Sequence, residues 1–429
     1  MTIINRLLSK LLNPKFLGFL VVFGIAKLSV FSAPLLFSNI VSKVAYGKLE
    51  YALSLGAVLA VFLNAGMNAS YPYFKLKKKT SDFDLTFYIH TLFIWLLVLT
   101  CFLVYKMNFI NFSLFLSILV AGILAIQMLQ SVICKSEKSI TKAVVLDSGL
   151  FITINLMVLY FFLSAQPYQE VYLIIFFGVY GFILLIGNVK HYRLVPWQKL
   201  RNDYLTLTAF GWPTILSSFI IIALTTSGRV LVEFFLSLED VAVYAIYFRL
   251  AAIVVIIHQV ANIAFFKNIY TSNPKTLDKY FAAFIAALLL LGIISYFILP
   301  HLAMNYLVLL KTTYINSKDI YFSLAFQMPF WVAMALNENI CYRENLARQM
   351  NKYLLVLLVL MILAMTLWSH IFTIDLEALI RIHILFMYFA VESQYHLFHK
   401  SRNFNFRNSK VAIRVIISIF LVLKGIQYI

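Results

Sequence analysis

The sequence predicts an all-α polytopic membrane protein, with about twelve transmembrane helices in two six-helix halves around a central cavity and a further apolar segment at the C-terminal end. Three observations predict this fold class: the composition, the length of the apolar segments and the placement of Lys and Arg. Hydrophobic residues make up 62% of the chain and charged residues 12%, whereas a soluble domain is about half apolar and a quarter charged. We therefore expect lipid to surround most of the chain.

A helix that crosses about 30 Å of hydrocarbon needs roughly 20 apolar residues. Twelve segments meet this requirement, and they run in order over Phe16–Ile40, Tyr51–Ala69, Thr86–Tyr105, Phe112–Cys134, Val144–Leu163, Val171–Val189, Leu207–Phe235, Val241–Phe266, Tyr280–Pro300, Ile320–Cys341, Tyr353–Phe372 and Leu379–Phe398. A thirteenth, Val411–Ile429, is apolar but carries Arg414 and Lys424, so both a spanning helix and an interfacial amphipathic helix remain open.

The basic residues predict the orientation of these segments. With the N-terminus in the cytoplasm, 24 of the 35 Lys and Arg residues fall in cytoplasmic loops and five in outer loops. An excess of this size, repeated in every turn of the chain, is a strong positive-inside signal. It also accounts for the net charge of +18 without a nucleic-acid partner, because the cations are spread over seven short loops.

The predicted halves cover residues 1–200 and 201–400, and residues 401–429 form a basic segment with a C-terminal interfacial or extra spanning helix. The loops between segments have no room for a soluble catalytic domain, and no HExxH, GxSxG or P-loop motif is present. Cys101, Cys134 and Cys341 lie far apart in apolar segments. We therefore expect no catalytic residues, no metal and no cofactor, and a protein that is not an enzyme.

Several local motifs resemble one family of membrane proteins. They are Lys27 inside the first apolar segment, Tyr46-Gly47 followed by LEYALS, Gly66 at the end of the second segment, and SGRVLVEFFLSLEDVAVYAIYFRLA over Ser227–Ala251. In these motifs and in its topology the chain resembles the polysaccharide-unit flippases, the O-antigen translocase (Wzx-type) branch of the multidrug/oligosaccharidyl-lipid/polysaccharide exporter superfamily. It departs from the family pattern at Gly228, where an acidic residue usually precedes the arginine, and at Val243, where a glycine is usual.

The resemblance implies translocation of undecaprenyl-pyrophosphate-linked oligosaccharide units from the cytoplasmic to the outer leaflet, for O-antigen, lipopolysaccharide or capsule-type polysaccharide assembly. It implies a multi-pass protein of the bacterial inner membrane whose partners are the lipid-linked oligosaccharide, membrane lipids, and a polysaccharide polymerase and chain-length regulator. The head of such a substrate is polar and anionic, so its passage requires a hydrated, cationic cavity between two helix bundles.

The candidate residues of a cationic cavity are Lys27, Arg229 and Arg249. An ionisable side chain at membrane depth usually faces a cavity or a partner, and guanidinium groups bind phosphate through two parallel hydrogen bonds. Packing pairs or contacts with lipid headgroups are the alternative roles for all three. Glu392, with His396 one turn further along, and Asp147 are candidates for proton coupling, since a carboxylate in a low-dielectric site can hold a proton near neutral pH. A salt bridge is the alternative.

Uncharged polar residues and prolines complete the candidate site. His90, Gln127 and Gln130 carry groups that suit either sugar hydroxyls or hydrogen bonds between helices. Pro34, Pro213 and Pro329 lie inside predicted segments and are hinge candidates, because proline removes a backbone hydrogen bond and kinks a helix. Static kinks would have the same sequence signature.

Two other functions remain open at this point. One is a small-solute or drug antiporter of the same superfamily, for which the cations at depth are less suitable than they are for an anionic substrate. The other is a membrane-embedded polysaccharide polymerase or acyltransferase. The longest predicted outer loop, His301–Asp319, is short for a polymerase.

Overall fold

The computed structural model describes residues 14–72, 74–75, 83–137, 139–189, 192, 196–258, 269 and 272–426. These residues form helices and connecting turns, with no strand among them. The helices are α1 (Pro14–Phe37), α2 (Lys43–Leu63), α3 (Met67–Pro72), α4 (Asp84–Lys106), α5 (Phe112–Ser136), α6 (Ile140–Ser164), α7 (Val171–Ile186), α8 (Trp197–Thr225), α9 (Gly228–Phe235), α10 (Leu238–Ala251), α11 (Pro274–Ala303), α12 (Val308–Arg343), α13 (Ala347–Ile371), α14 (Leu376–Arg402) and α15 (Arg407–Ile426).

Side-chain caps define the starts of several long helices. The side chains of Asn111, Asn273 and Asp375 each accept a hydrogen bond from the backbone N–H three residues further on, at 2.7–2.8 Å. Such caps satisfy backbone donors that have no partner inside the helix. Since unpaired backbone groups are costly near hydrocarbon, these caps stabilise the helix ends where each loop meets the apolar region.

Seven of the described helices are long and apolar enough to cross a membrane, or eight if the bent α8 counts as one span. The sequence predicted twelve such segments. One difference is Val171–Val189, which forms the shorter apolar helix Val171–Ile186, and another is Leu379–Phe398, which lies in α14, a helix that is not among the seven. The predicted segment Leu207–Phe235 is interrupted between α8 and α9, and Tyr51–Ala69 is interrupted after Leu63. Residues 259–266 of the predicted segment Val241–Phe266 lie outside the described residues.

The chain divides into two compact units, Met1–Ile215 (unit 1) and Leu216–Ile429 (unit 2). The boundary therefore lies within α8, some fifteen residues later than the predicted boundary after residue 200. In unit 1 the central helix is α5, which packs against α2, α4, α6 and α7. In unit 2 the central helix is α12, which packs against α10, α11, α14 and α15. Each unit thus builds its core around one long helix.

The C-terminal helix α15 belongs to unit 2 and packs lengthwise on it. Near its start, the backbone N–H groups of Asn408 and Ser409 donate to the carboxylate of Asp278, in the first turns of α11, at 2.9 and 2.8 Å. Near its end, the ammonium of Lys424 lies 2.6 Å from Glu377, at the start of α14. Because α11 and α14 enter the unit from opposite ends, α15 runs along its full length.

Candidate functional site

Lys27 lies in the middle of α1, in unit 1, and its side chain is half-buried. The ammonium is 5.7 Å from the centroid of the Phe23 ring, one turn earlier on the same helix. Among the described residues, no carboxylate lies within 4 Å of it. The charges that act on it are the carboxylate of Asp147 and the ammonium of Lys135. Lys27 is therefore a cation at membrane depth, and the carboxylate that acts on its charge, Asp147, lies more than 4 Å away.

Asp147 lies on α6, the helix against which α1 packs. Its carboxylate forms an ion pair of 2.8 Å with Lys135, the basic residue in the last turn of α5, and both side chains are exposed. An exposed pair of this kind contributes little to stability. The Asp147 carboxylate also contributes to the electrostatic field at Lys27.

The two glutamines of unit 1 connect helices. The Gln127 side chain is 1% exposed, and its amide nitrogen donates to the backbone carbonyl of Leu146 at 2.6 Å and to the Tyr180 hydroxyl at 2.8 Å. The amide of Gln130 donates to the carbonyl of Leu184 at 3.0 Å. The structure therefore places both amides in hydrogen bonds between α5 and its neighbours, which is the structural role that the sequence left open.

His90 is buried against the end of the second helix. Its Nε2 lies 2.7 Å from the carbonyl oxygen of Leu63, the last residue of α2, and its Nδ1 lies 2.9 Å from the Tyr204 hydroxyl. A carbonyl only accepts hydrogen bonds, so Nε2 is the donor here. His90 thereby supplies a partner to a carbonyl that the interruption of the helix leaves without one.

Arg229 is the second residue of α9, in unit 2, and is 8% exposed. Its guanidinium carbon lies 4.9 Å from the centroid of the Phe248 ring on α10, a cation–π geometry. The preceding Gly228 is in contact with Tyr244, and a Cβ at residue 228 would overlap the Tyr244 hydroxyl. The family's usual acidic residue at this position therefore has no space in this packing, which explains the departure noted in the sequence. Arg249, on α10, is half-buried.

A second buried histidine, His383, was not singled out from the sequence. It is fully buried on α14, and its Nε2 lies 2.7 Å from the carbonyl oxygen of Leu224, in the last turn of α8. Its Nδ1 lies 3.3 Å from the amide nitrogen of Gln327 on α12. A histidine and a glutamine in the middle of apolar segments were the available signal, but spacing alone does not show that they meet.

Glu392 and His396, predicted as a proton-coupling pair, have separate surroundings. The Glu392 carboxylate accepts hydrogen bonds from Arg414 of α15 at 2.8 and 3.3 Å and lies 3.4 Å from Lys410. His396 is exposed, and its ring lies edge-on to Tyr353 with the centroids 6.5 Å apart. Glu392 therefore has the salt-bridge environment that was the alternative to proton coupling, and it attaches α15 to α14.

The three hinge candidates differ in their local geometry. α1 continues through Pro34 and α12 continues through Pro329. α8 bends by 47° between Trp197–Trp212 and Thr214–Thr225, at Pro213. Gly211, two residues before that proline, touches Gly66 backbone to backbone, since a Cβ on Gly66 would lie 2.5 Å from the Cα of Gly211.

A buried carboxylate in unit 1 was also missed. Glu50 is 0% exposed on α2 and accepts a hydrogen bond of 2.9 Å from the hydroxyl of Tyr46, one turn earlier. Both residues belong to the motif of Tyr46-Gly47 followed by LEYALS. Most of its other residues are apolar, so the pattern alone did not single out Glu50. Among the described residues, no group of three or more His, Cys, Asp or Glu side chains is arranged to hold a metal ion.

Of the predicted cations, Lys27 belongs to unit 1, and Arg229 and Arg249 belong to unit 2. His90, Gln127, Gln130 and Asp147 all lie in unit 1, but they contact different partners and do not form one cluster. Within unit 1, polar side chains that hold the surrounding helices in place therefore accompany the cation Lys27.

No protein-family model matches this chain, and no curated protein matches it. Solved structures do match. An inward-facing structure of a multidrug resistance MATE family transporter of the MOP superfamily superposes with a TM-score of 0.50 at 12% identity, over 92% of this chain and 96% of its own. A Vibrio cholerae MATE transporter variant gives 0.48 at 15% identity, over 89% and 94%. A MATE protein in complex with MaL6 gives 0.48 at 14% identity, over 92% and 95%.

At these identities the likeness concerns the fold alone. The first of these superpositions covers nearly the whole of both chains. It confirms the predicted fold class of an all-α membrane protein with about twelve helices in two halves.

Proposed function

We propose that this chain translocates a lipid-linked oligosaccharide with an anionic head, an undecaprenyl-pyrophosphate-linked repeat unit, from the cytoplasmic to the outer leaflet by alternating access. The observation that carries the proposal is Lys27, a half-buried ammonium at mid-depth of α1 with no carboxylate within 4 Å among the described residues. A charge in that position costs several kcal/mol on insertion scales, on the order of 3 kcal/mol. Binding a phosphate group would offset that cost.

The chemistry of the other cations is compatible with the same substrate. The Arg229 guanidinium is held against Phe248 rather than extended into water. A desolvated, oriented guanidinium binds a phosphate oxygen more strongly than a freely hydrated one. The polyprenyl tail needs no polar site, because it stays in lipid while the head moves.

The orientation and location belong to the same proposal. The distribution of Lys and Arg favours a cytoplasmic N-terminus, and the substrate class corresponds to the inner membrane of a bacterium. A polymerase that consumes the flipped units, with its chain-length regulator, would then be the partners on the outer side.

The test is complementation of a deletion strain, with two measurements: surface polysaccharide, and lipid-linked repeat units retained in the cytoplasmic leaflet. Lys27→Ala is expected to lose surface polysaccharide and accumulate the lipid-linked unit at normal protein levels, and Lys27→Arg to retain part of the activity. Lys275→Ala, which removes an exposed cation on α11, serves as the control. Normal export by Lys27→Ala would contradict the proposal.

A second candidate is a cation-coupled antiporter of small solutes or drugs. The observation that favours it is Glu50, a fully buried carboxylate on α2. A buried acid is suited to bind and release a proton during a transport cycle. If this function is correct, expression should raise resistance to organic cations, Glu50→Gln should abolish that resistance, and deletion should leave surface polysaccharide unchanged.

A further inference from the structure

A groove of about 860 Å³ lies between α13 and α14 of unit 2, at the ends of these helices that the charge distribution assigns to the cytoplasm. Its walls combine two classes of side chain. Lys352 and Lys400 stand at the mouth, and both are exposed. Val356 and Phe389 line the deeper part, and they are 58% and 48% exposed. The groove is therefore cationic at its mouth and apolar below it.

The two lysines are not neutralised by the protein. No carboxylate lines the groove. The acids in its neighbourhood already have other partners, since Glu344 pairs with Arg343 and Arg402, and Glu392 pairs with Arg414 and Lys410. Within the described part of the chain, neither Lys352 nor Lys400 has a carboxylate within 4 Å. Two ammonium groups without a carboxylate partner within 4 Å therefore line the same groove as the apolar side chains.

A hydrogen bond joins the two helices beside the lysines of the groove. The Ser401 hydroxyl donates to the side-chain oxygen of Gln349 at 2.9 Å, which joins α14 to α13 at this level. Hydroxyl and amide groups beside two ammonium groups make a polar rim that suits a phosphodiester. The exposed apolar residues one to two turns deeper suit hydrocarbon chains.

We propose that this groove binds one anionic glycerophospholipid of the cytoplasmic leaflet. The phosphate would lie between Lys352 and Lys400, and an acyl chain would lie along Val356 and Phe389. Charge selects the class: the phosphate of an anionic lipid has no cation of its own and interacts with both ammonium groups, whereas a zwitterionic lipid brings its own cation to the same rim. Lysine side chains near a membrane surface are attracted by anionic lipid headgroups. This proposal is independent of the transported substrate.

The experiment uses the full-length protein in detergent micelles, with native mass spectrometry of bound lipid. Dioleoyl phosphatidylglycerol and dioleoyl phosphatidylethanolamine are offered at equal concentration. The wild type is expected to retain one phosphatidylglycerol molecule in preference to phosphatidylethanolamine. In Lys352→Ala/Lys400→Ala that preference should fall by about tenfold or more, since two lysine–lipid interactions are lost.

The matched control is Lys275→Ala/Lys279→Ala, which removes two exposed lysines of α11 from the same unit and the same predicted leaflet. It should retain the wild-type preference. Val356→Trp, which keeps both charges and fills the apolar part, should lower binding of both lipids. If the alanine double variant is unstable on heating, Lys352→Gln/Lys400→Gln replaces it.

Three results would overturn the proposal: equal loss of phosphatidylglycerol in the groove and control variants, equal binding of the two lipids by the wild type, or displacement of phosphatidylglycerol by a stoichiometric amount of polyprenyl pyrophosphate. The last result would assign the groove to the lipid carrier of an oligosaccharide.

Discussion

The two units each contain an interrupted helix, and the two interruptions are built differently. In unit 1, α2 ends at Leu63 and the chain turns through Ala65 and Gly66, whose φ angles are 48° and 72°. In unit 2, α8 ends at Thr225 and α9 begins at Gly228 with no positive φ between them. The first interruption depends on backbone conformation.

The second interruption depends on side-chain hydroxyls. Thr225 and Thr226 donate to the carbonyls of Ile221 and Ile222, four residues earlier, at 2.7 and 2.9 Å, and Ser227 donates to Ala223. These hydroxyls occupy the carbonyls of the last turn, which weakens the preference for continuing the helix.

Both interruptions share one device, a buried histidine from another helix that donates to a carbonyl of the last turn. At His90 the second nitrogen faces a hydroxyl, which can donate or accept. At His383 it faces an amide nitrogen, which only donates, so this ring is held as one neutral tautomer. The comparison indicates that a glycine turn and a hydroxyl-rich turn both need an external donor where the last turn of the helix is buried.

The largest expected effect tests the backbone contact between Gly66 and Gly211, which lies at the interruption in unit 1. Gly211→Ala should destabilise the protein by about 3 kcal/mol, because its Cβ would lie 2.7 Å from the Cα of Gly66 and backbone atoms do not rotate aside. Unfolding by SDS in mixed micelles measures the change. Gly178→Ala is the control, since a Cβ there meets nothing within 4 Å. Equal stability of the two variants would contradict the role given to the glycine contact.

The next effect compares the two histidines. His383→Leu should lower the free energy of unfolding by about 2 kcal/mol, because it leaves a fully buried carbonyl without its donor. His90→Leu should cost about 1 kcal/mol, since this site is 8% exposed and water can replace part of the lost bond. The same unfolding titration tests both. A larger loss at His90 would reverse the order of the two sites.

The third effect concerns the start of α9. Gly228→Ala should cost about 1.5 kcal/mol through overlap with the Tyr244 hydroxyl. Tyr244→Leu removes both the hydroxyl and the ring carbon Cζ, which would lie 2.5 Å from the new Cβ, so in that background Gly228→Ala should cost less than half as much. Because Gly66 and Gly211 meet through backbone, no such rescue is available in unit 1. A double-variant cycle with no coupling would show that the close contact at Gly228 is unimportant.

The smallest expected effect concerns the hydroxyl ladder. Thr225→Val should cost about 0.5 kcal/mol through loss of its hydrogen bond at the interruption. Thr206→Val, in the middle of α8, removes the same kind of bond to the carbonyl four residues earlier where the helix simply continues. It should be neutral. An equal loss of stability in Thr206→Val and Thr225→Val would show that the hydroxyl bond matters no more at the interruption than in a continuous helix.

The all-α fold could be predicted from the sequence. The length of the apolar segments survives averaging of the hydropathy, and the placement of Lys and Arg can be counted directly. Interruptions are lost in an average over the segment: Leu207–Phe235 is apolar on average, and one Thr-Thr-Ser-Gly run barely lowers its mean hydropathy. The local signal was present in those letters, as it was in Asn64-Ala65-Gly66. The turn-forming residues in these two runs predict both interruptions, even where the mean hydropathy does not.

The candidate site was less predictable, because it depends on which side chains meet. Lys27 was recognisable as a charge at depth from one helix alone. Gln127 and Glu392 are likewise polar residues inside predicted apolar segments. Their hydrogen-bond partners lie on other helices, and in the structure these bonds hold helices together. His383 and Glu50 lie on faces that pack inwards, and a single sequence does not identify those faces.

The attachment of α15 has a consequence for biosynthesis. Asp278, Glu377 and Glu392 are made and inserted before their partners Ser409, Lys424 and Arg414 emerge from the ribosome. Until then, Asp278 and Glu392 lack these partners, and Glu377 has only Arg381 of its own helix. We therefore expect a stop codon shortly after Arg402 to leave a chain that inserts normally but is degraded, because it lacks the contacts that α15 makes with α11 and α14.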